Sequence, residues 1–232
     1  MNKRGTHVGV VISFVVFIIF LLAIYAIIKP VLTKQKDKEL LLNNLQGEVI
    51  GKISDDLIST TLLLDFVHGS PIECVYLTDF FPETNLSQKI IVKDKDSNLI
   101  NAAISGQNLV LFDFDSKFFK VYQSENFDEI AEGNCDSEET FNLGLARKSK
   151  TVFEEKIVSF LGDYSQDYES LKIEFNIPGD SGFEFSFTLS NKTILKTQER
   201  NLSTGVYSSQ FQTIYFSEDA NLSLGYLNLR VW

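Results

Sequence analysis

An uninterrupted apolar run near the N-terminus, residues 8–28, constrains this chain more than any other feature of its sequence. The run carries no charged side chain. As an α-helix it would be roughly 30 Å long, about the hydrocarbon thickness of a bilayer. It is longer than the apolar core of a secretory signal, and no Ala-x-Ala-like cleavage site follows it. The sequence therefore predicts a retained transmembrane helix over residues 8–28, with the lipid bilayer as its partner.

Basic residues flank the run on both sides, and they leave two orientations open. Lys3 and Arg4 precede it, and four lysines follow it: Lys29, Lys34, Lys36 and Lys38. The count of lysine and arginine alone would place the N-terminus outside. A signal anchor is the simpler topology, because the N-terminal side is very short and nearly all of the chain follows the run. We therefore expect a single-pass protein of the cell membrane with an extracytoplasmic C-terminal domain.

The chain beyond the run is acidic and rich in aromatic residues. The formal net charge of the whole chain is −10, and Lys3 and Arg4 are the only charged residues before residue 29, so the remainder carries about −12. An acidic exterior argues against nucleic acid as a partner. Twenty Phe and eight Tyr with only four Pro favour β-strands.

Alternation of apolar and polar side chains predicts an antiparallel sheet with one face exposed to water. The predicted strands lie at residues 59–67, 73–81, 88–94, 101–123 (a strand and a hairpin), 173–177, 183–189, 193–199, 206–216 and 227–231. We expect the last five to form a meander. The polar, acidic residues 124–141 are predicted to be a flexible loop, with a subdivision of the ectodomain near residues 124–148.

One amphipathic helix is predicted over residues 151–168. Thr151 and Glu154 have the spacing of a capping box. The apolar residues that share one face of this helix are Phe153, Ile157, Phe160, Leu161, Tyr164 and Tyr168. We expect this face to pack on the sheet, and an aromatic stripe that binds a partner is the alternative.

A second helical pattern follows the apolar run. Pro30 is expected to end or kink the spanning helix, and Gly47 is expected to stop the helix that resumes after it. The predicted organisation is a leader (1–7), a transmembrane helix (8–28), a helical stalk (29–47) and a β-rich ectodomain (48–232). The fold class is therefore α+β, with a mainly antiparallel ectodomain and one packed amphipathic helix.

The N-terminus resembles the class III signal of type IV pilin-like proteins, archaeal ones in particular. The resemblance rests on Lys3-Arg4-Gly5 directly before a long apolar helix. It implies that a prepilin peptidase cuts after Gly5 and leaves Thr6 as the mature N-terminus. It also implies a β-rich head on a helical stalk, and homo- or hetero-oligomers formed through the N-terminal helix. Many pilins have a glutamate at the fifth mature position, where this chain has Val10.

Two kinds of covalent modification are open to the ectodomain. Cys74 and Cys135 either form a disulfide, if this part is outside the cell, or are two unrelated buried thiols. Four Asn-x-Ser/Thr sequons are candidate glycosylation sites: Asn85, Asn191, Asn201 and Asn221.

Signatures of catalysis and of metal binding are not found in the sequence. Beyond the membrane edge the only histidine is His68, and no family signature surrounds a Cys74–His68 pair. Residues 94–98 imitate the start of a calcium loop, but its sixth and twelfth positions are Leu99 and Ser105 instead of Gly and Glu. We therefore expect no enzyme, cofactor or metal site. The expected function is structural or adhesive, as a pilin-like surface protein. The alternative is a membrane-tethered binding or sensor module that does not assemble into filaments.

Overall fold

The chain is an α+β protein, as predicted: a long N-terminal helix is followed by a mixed sheet and three shorter helices. The computed structural model describes residues 5–65, 72–198, 205–217 and 220–232, and of residues 5–8, 30–35 and 72 it describes the backbone alone. The helices are α1 (Gly5–Ile53), α2 (Phe80–Thr84), α3 (Glu154–Gln166) and α4 (Tyr168–Glu174).

The strands divide into those before and those after residue 146. The first eight are β1 (Ser54–Leu64), β2 (Ile72–Leu77), β3 (Ile90–Asp94), β4 (Leu99–Ser105), β5 (Asn108–Phe114), β6 (Phe118–Gln123), β7 (Glu138–Glu139) and β8 (Phe141–Leu143). The others are β9 (Arg147–Phe153), β10 (Phe183–Thr188), β11 (Ile194–Lys196), β12 (Tyr207–Phe216) and β13 (Leu222–Val231).

The described strands form one continuous sheet in the order β11-β10-β13-β12-β9-β1-β6-β3-β4-β5-β2-β7, with β8 beside β1. Neighbours are antiparallel except for β9 with β12 and β2 with β7. We call residues 54–146 the N-terminal lobe and residues 147–232 the C-terminal lobe. The pairing of β1 with β9 joins the two lobes.

Helix α1 is longer than the sequence predicts. It is a single helix of 49 residues that continues through Pro30 and past Gly47. The predicted stop at Gly47 is therefore wrong, and so is an end at Pro30; the stalk reaches Ile53 instead of residue 47. The physical reason at Gly47 is tertiary packing, because Val49 and Ile53 beyond it are buried in the core. Such burial outweighs the penalty of about 1 kcal/mol for one glycine in a helix.

The core of the C-terminal lobe lies between the sheet and three helices. The end of α1, α3 and α4 cover one face of β10, β12 and β13. Aromatic rings fill the space: the Phe160 and Phe185 rings stack with centroids 4.8 Å apart. The Tyr164 hydroxyl donates a hydrogen bond of 2.6 Å to the carbonyl oxygen of Phe183, so that α3 is fixed to β10.

Three predictions for the C-terminal lobe are wrong. Thr151 belongs to β9, where it pairs with Asp55, and α3 begins only at Glu154, without a side-chain cap from Phe153. Residues 173–177 do not form a strand, because α4 occupies 168–174. The expected meander is replaced by a crossover, since β10 pairs with β13.

The core of the N-terminal lobe is enclosed by the sheet itself. Strand β4 pairs with both β3 and β5, and the buried side chains of β1, β2, β3, β5 and β6 meet around Phe80 of α2. Residues 124–141, predicted to be a flexible loop, contribute β7 and the buried Phe127. The Gly133 amide donates to the carbonyl oxygen of Ile104 at 3.0 Å, which attaches this segment to β4.

Candidate functional site

The first part of α1 exposes apolar side chains all round. Within Gly9–Lys29, an 18-residue stretch has a mean hydropathy of 3.2, and none of its residues is buried. Soluble proteins rarely expose an apolar surface of this size, because contact between apolar side chains and water is unfavourable. In the described part of the chain, this is the one helix long and apolar enough to cross a membrane.

The last part of α1 is fixed in the C-terminal lobe. Leu45, Val49 and Ile53 are fully buried there. Nearer the N-terminus of α1, the Lys38 ammonium donates to the Ser181 hydroxyl at 2.6 Å and to the carbonyl oxygen of Trp232 at 3.0 Å, two groups of the same lobe. The helix therefore passes directly from its exposed apolar part into the core of the head.

The length of α1 fixes where the head begins. At 1.5 Å per residue, Lys38 lies about 14 Å beyond Lys29, and Ile53 about 36 Å beyond it. Since Ser54 pairs with Val152, the border between the two lobes lies at the level of Ile53.

The residues of the predicted leader lie at the start of α1. Gly5 is its first residue and Thr6 its second, and residues 1–4 lie outside the described ranges. Val10 is exposed, one turn further along the helix. Cleavage after Gly5 stays a prediction.

Cys74 and Cys135 form a disulfide, which decides between the two alternatives that the sequence left open. The bond joins β2 to the segment just before β7. It closes a loop with a sequence separation of 61 residues within the N-terminal lobe.

The three described sequons lie on exposed turns. Asn85 follows α2 in a left-handed backbone conformation with φ of 52°. The Asn191 side chain accepts a hydrogen bond of 2.9 Å from the Thr193 amide, and that of Asn221 accepts one of 2.6 Å from the Lys93 ammonium. Asn201 lies outside the described residues, as does His68. Glycosylation of all four stays a prediction.

The calcium-like residues 94–98 form a self-contained turn. One oxygen of Asp94 accepts hydrogen bonds from the backbone amides of Asp96 and Asn98, each of 2.8 Å. Burial raises the pKa of Asp94, but a hydrogen bond from the Asn98 side chain, together with these two amide bonds and the nearby charge of Lys95, outweighs that effect and lowers the pKa. In the described ranges, no group of three or more His, Cys, Asp or Glu side chains is arranged to hold a metal ion.

A cleft of about 640 Å³ lies between the two lobes. Its lining comes from β3, β4 and residues 126–130 of the N-terminal lobe, and from the end of β9, the start of α3 and the end of β12 in the C-terminal lobe. Its floor is aromatic, because Phe127, Phe153 and Phe216 are buried and contact one another. A cleft of this size is typical of sites for small molecules.

The rim of the cleft is acidic. Asp128 and Glu129 follow Phe127, and Glu154 and Glu155 follow Phe153, so two Phe-acid-acid tripeptides line the cleft, one from each lobe. Among the residues that the structure describes, the lining contains no Lys, Arg or His. Sequence reasoning missed this site; the only signal was the repeated Phe-acid-acid pattern, whose two copies are 26 residues apart.

An ion pair connects the two lobes beside the cleft. The Lys156 ammonium of α3 lies 2.8 Å from a carboxylate oxygen of Asp55, which also accepts a hydrogen bond from the Asn126 side chain at 3.3 Å. The hydrogen bond from Lys156 is the main reason why the pKa of Asp55 falls to about 2. Lys156 is thus paired with Asp55.

Comparison of this chain with protein-family models, with curated proteins and with solved structures finds no match.

Proposed function

We propose that this chain is a single-pass, membrane-anchored surface protein with a pilin-like layout, whose extracytoplasmic head has a structural or adhesive role. The observation that carries the proposal is the division of α1 into two parts. Residues Gly9–Lys29 are apolar and exposed, whereas Leu45, Val49 and Ile53 are buried in the head.

The rigid connection between the two parts supports display of the head in a fixed orientation. Each fully buried aliphatic side chain of the stalk contributes about 2 kcal/mol. The Lys52–Glu174 ion pair, at 2.6 Å, adds little because both partners are exposed. Copies that pack side by side through the apolar helix would therefore hold their heads at defined positions.

The disulfide supports the extracytoplasmic location of the head. Disulfides persist outside the cytoplasm, where the environment is oxidising. The Cys74–Cys135 bond encloses a large part of the N-terminal lobe, so this lobe is expected to mature in such an environment.

Processing at Gly5 tests the pilin-like mechanism. Mass spectrometry of the mature protein is expected to find Thr6 as the N-terminal residue. Gly5→Leu is expected to block cleavage, because the peptidase requires a small residue there in the family that this N-terminus resembles. Gly9→Leu, the same change one turn later, is the matched control and should be processed normally. A mature chain that still begins at Met1 would remove this mechanism.

A second candidate function, a tethered binding module that does not assemble, is favoured by the cleft between the lobes. Chemical crosslinking in membranes separates the two. Oligomers joined through residues 9–29 are expected for the surface-assembly function. A chain that stays monomeric in the membrane and after detergent extraction would favour the binding module.

A further inference from the structure

We propose that the cleft between the two lobes binds a small organic cation, an ammonium group attached to an apolar or aromatic body. This inference goes beyond the surface role proposed above and does not depend on cleavage or assembly. It rests on three features of the cleft: its size, its aromatic floor and the charge of its rim.

The floor is a preformed cluster of three apolar rings, of which Phe127 is 9% exposed and Phe153 and Phe216 are each 3% exposed. The ring centroids of Phe127 and Phe216 are 5.1 Å apart, those of Phe153 and Phe216 5.7 Å, and those of Phe127 and Phe153 6.0 Å. Rings in mutual contact lose little freedom when a ligand binds, which lowers the entropic cost of binding.

The rim determines the charge of the ligand. Asp128, Glu129 and Glu155 form no ion pair or side-chain hydrogen bond within the part of the chain that the structure describes. The two lysines closest in sequence to Glu154 and Glu155 are engaged elsewhere: Lys156 with Asp55, and Lys150 with Asp56 at 3.2 Å. An anionic ligand would meet only repulsion here, whereas a cation would meet unneutralised carboxylates.

The position of the acidic residues distinguishes a binding rim from ordinary helix chemistry. Glu154 and Glu155 lie in the first turn of α3, where carboxylates stabilise any helix. Asp128 and Glu129 lie on a loop between β6 and β7, so no helix end accounts for them. The loop pair, which lines the cleft next to the buried Phe127, therefore carries the argument for a cationic ligand.

The same features argue against two other occupants. A bare metal ion would need several converging ligands, and the described carboxylates do not converge into such a group. A long basic peptide would need an extended groove, whereas a volume of about 640 Å³ accommodates a single drug-sized molecule.

Binding is tested with benzyltrimethylammonium as the probe and with the full-length protein in lipid nanodiscs. Benzyl alcohol and benzylsulfonate are the neutral and anionic counterparts, and empty nanodiscs correct for partition into lipid. Calorimetric titration is expected to show binding of the cation, at least about tenfold tighter than of either counterpart, and weakened by salt. Failure of the cation to bind, or equal binding of benzyl alcohol, would overturn the proposal.

Variants locate the site. The triple variant Asp128→Asn, Glu129→Gln, Glu155→Gln is expected to weaken binding of the cation about tenfold or more. The matched control Glu48→Gln, Asp115→Asn, Glu169→Gln removes three exposed carboxylates outside the cleft and should bind as the wild type does. Asn101→Phe places a bulky side chain at an exposed position of the lining and should obstruct binding without a change of charge. An equal loss of affinity in both triple variants would show that the effect comes from the net charge of the protein, and it would contradict a site in the cleft.

Discussion

The two lobes share one sheet but build their cores differently. The C-terminal lobe packs three helices against one sheet face, and its core contains 20 buried residues among those described. The strands of the N-terminal lobe enclose a core of 12 buried residues among those described, and this lobe contains the disulfide. The smaller core is crosslinked by the disulfide, whereas the larger core depends on the end of helix α1. This difference indicates that the lobes respond to different perturbations.

Removal of the disulfide has the largest expected effect. Cys74→Ala with Cys135→Ala is expected to lower the free energy of unfolding by about 4 kcal/mol, because a long loop is no longer closed in the unfolded chain. Hydrogen exchange is expected to accelerate most in β2 and β5, and least in β10 and β13. Equal acceleration in both lobes would show that they unfold as one unit and would contradict a different response of the two lobes.

Shortening a stalk side chain is expected to affect the other lobe. Leu45 is 1% exposed, and Leu45→Ala should cost about 3 kcal/mol through lost burial and the cavity left behind. Trp232, the only tryptophan, lies beside the stalk, so its fluorescence during urea unfolding reports this lobe.

Leu40→Ala is the matched control for the stalk, since Leu40 is 53% exposed on the same helix. Its midpoint of unfolding should stay close to that of the wild type. A larger effect at Leu40 than at Leu45 would contradict the packing of α1 described here.

The smallest expected effect concerns the ion pair between the lobes. The pKa of Asp55 is about 2 in the folded chain, whereas the ordinary value for an aspartate, taken for the unfolded chain, is 3.8. The ionised carboxylate therefore stabilises the fold above pH 4. That contribution, about 1 kcal/mol for a partly exposed pair, is lost as the pH falls from 4 to 2. Asp55→Asn should therefore be less stable than the wild type at pH 7.

Urea midpoints followed by Trp232 fluorescence from pH 7 to pH 2 measure this difference. The gap between wild type and Asp55→Asn is expected to close toward pH 2. Asp115→Asn, an exposed carboxylate without an ion pair among the described residues, should show no gap at any pH. A gap that persists at pH 2 would assign the effect of Asp55→Asn to something other than the charge.

Local sequence patterns correctly predicted elements with one buried face and one more exposed face. The alternation of Phe183, Phe185 and Phe187 correctly predicted β10, since all three are buried on one face. The strand predicted from Ile173, Phe175 and Ile177 was wrong, because apolar residues at this spacing also occur in a helix. Ile173 is 77% exposed, whereas Leu171 and Phe175, four residues apart, are buried on one face of the α4 segment.

The sequence alone determined the apolar helix, the α+β class and most of the strands, because these depend on the composition and spacing of neighbouring residues. The tertiary structure decided where α1 ends, how β10 and β13 meet, which alternative the cysteines follow and how the cleft forms. These features join residues far apart in the chain: Cys74 with Cys135, and Phe127 with Phe153 and Phe216. Such contacts depend on chain topology and on packing across the sheet, which local spacing does not specify.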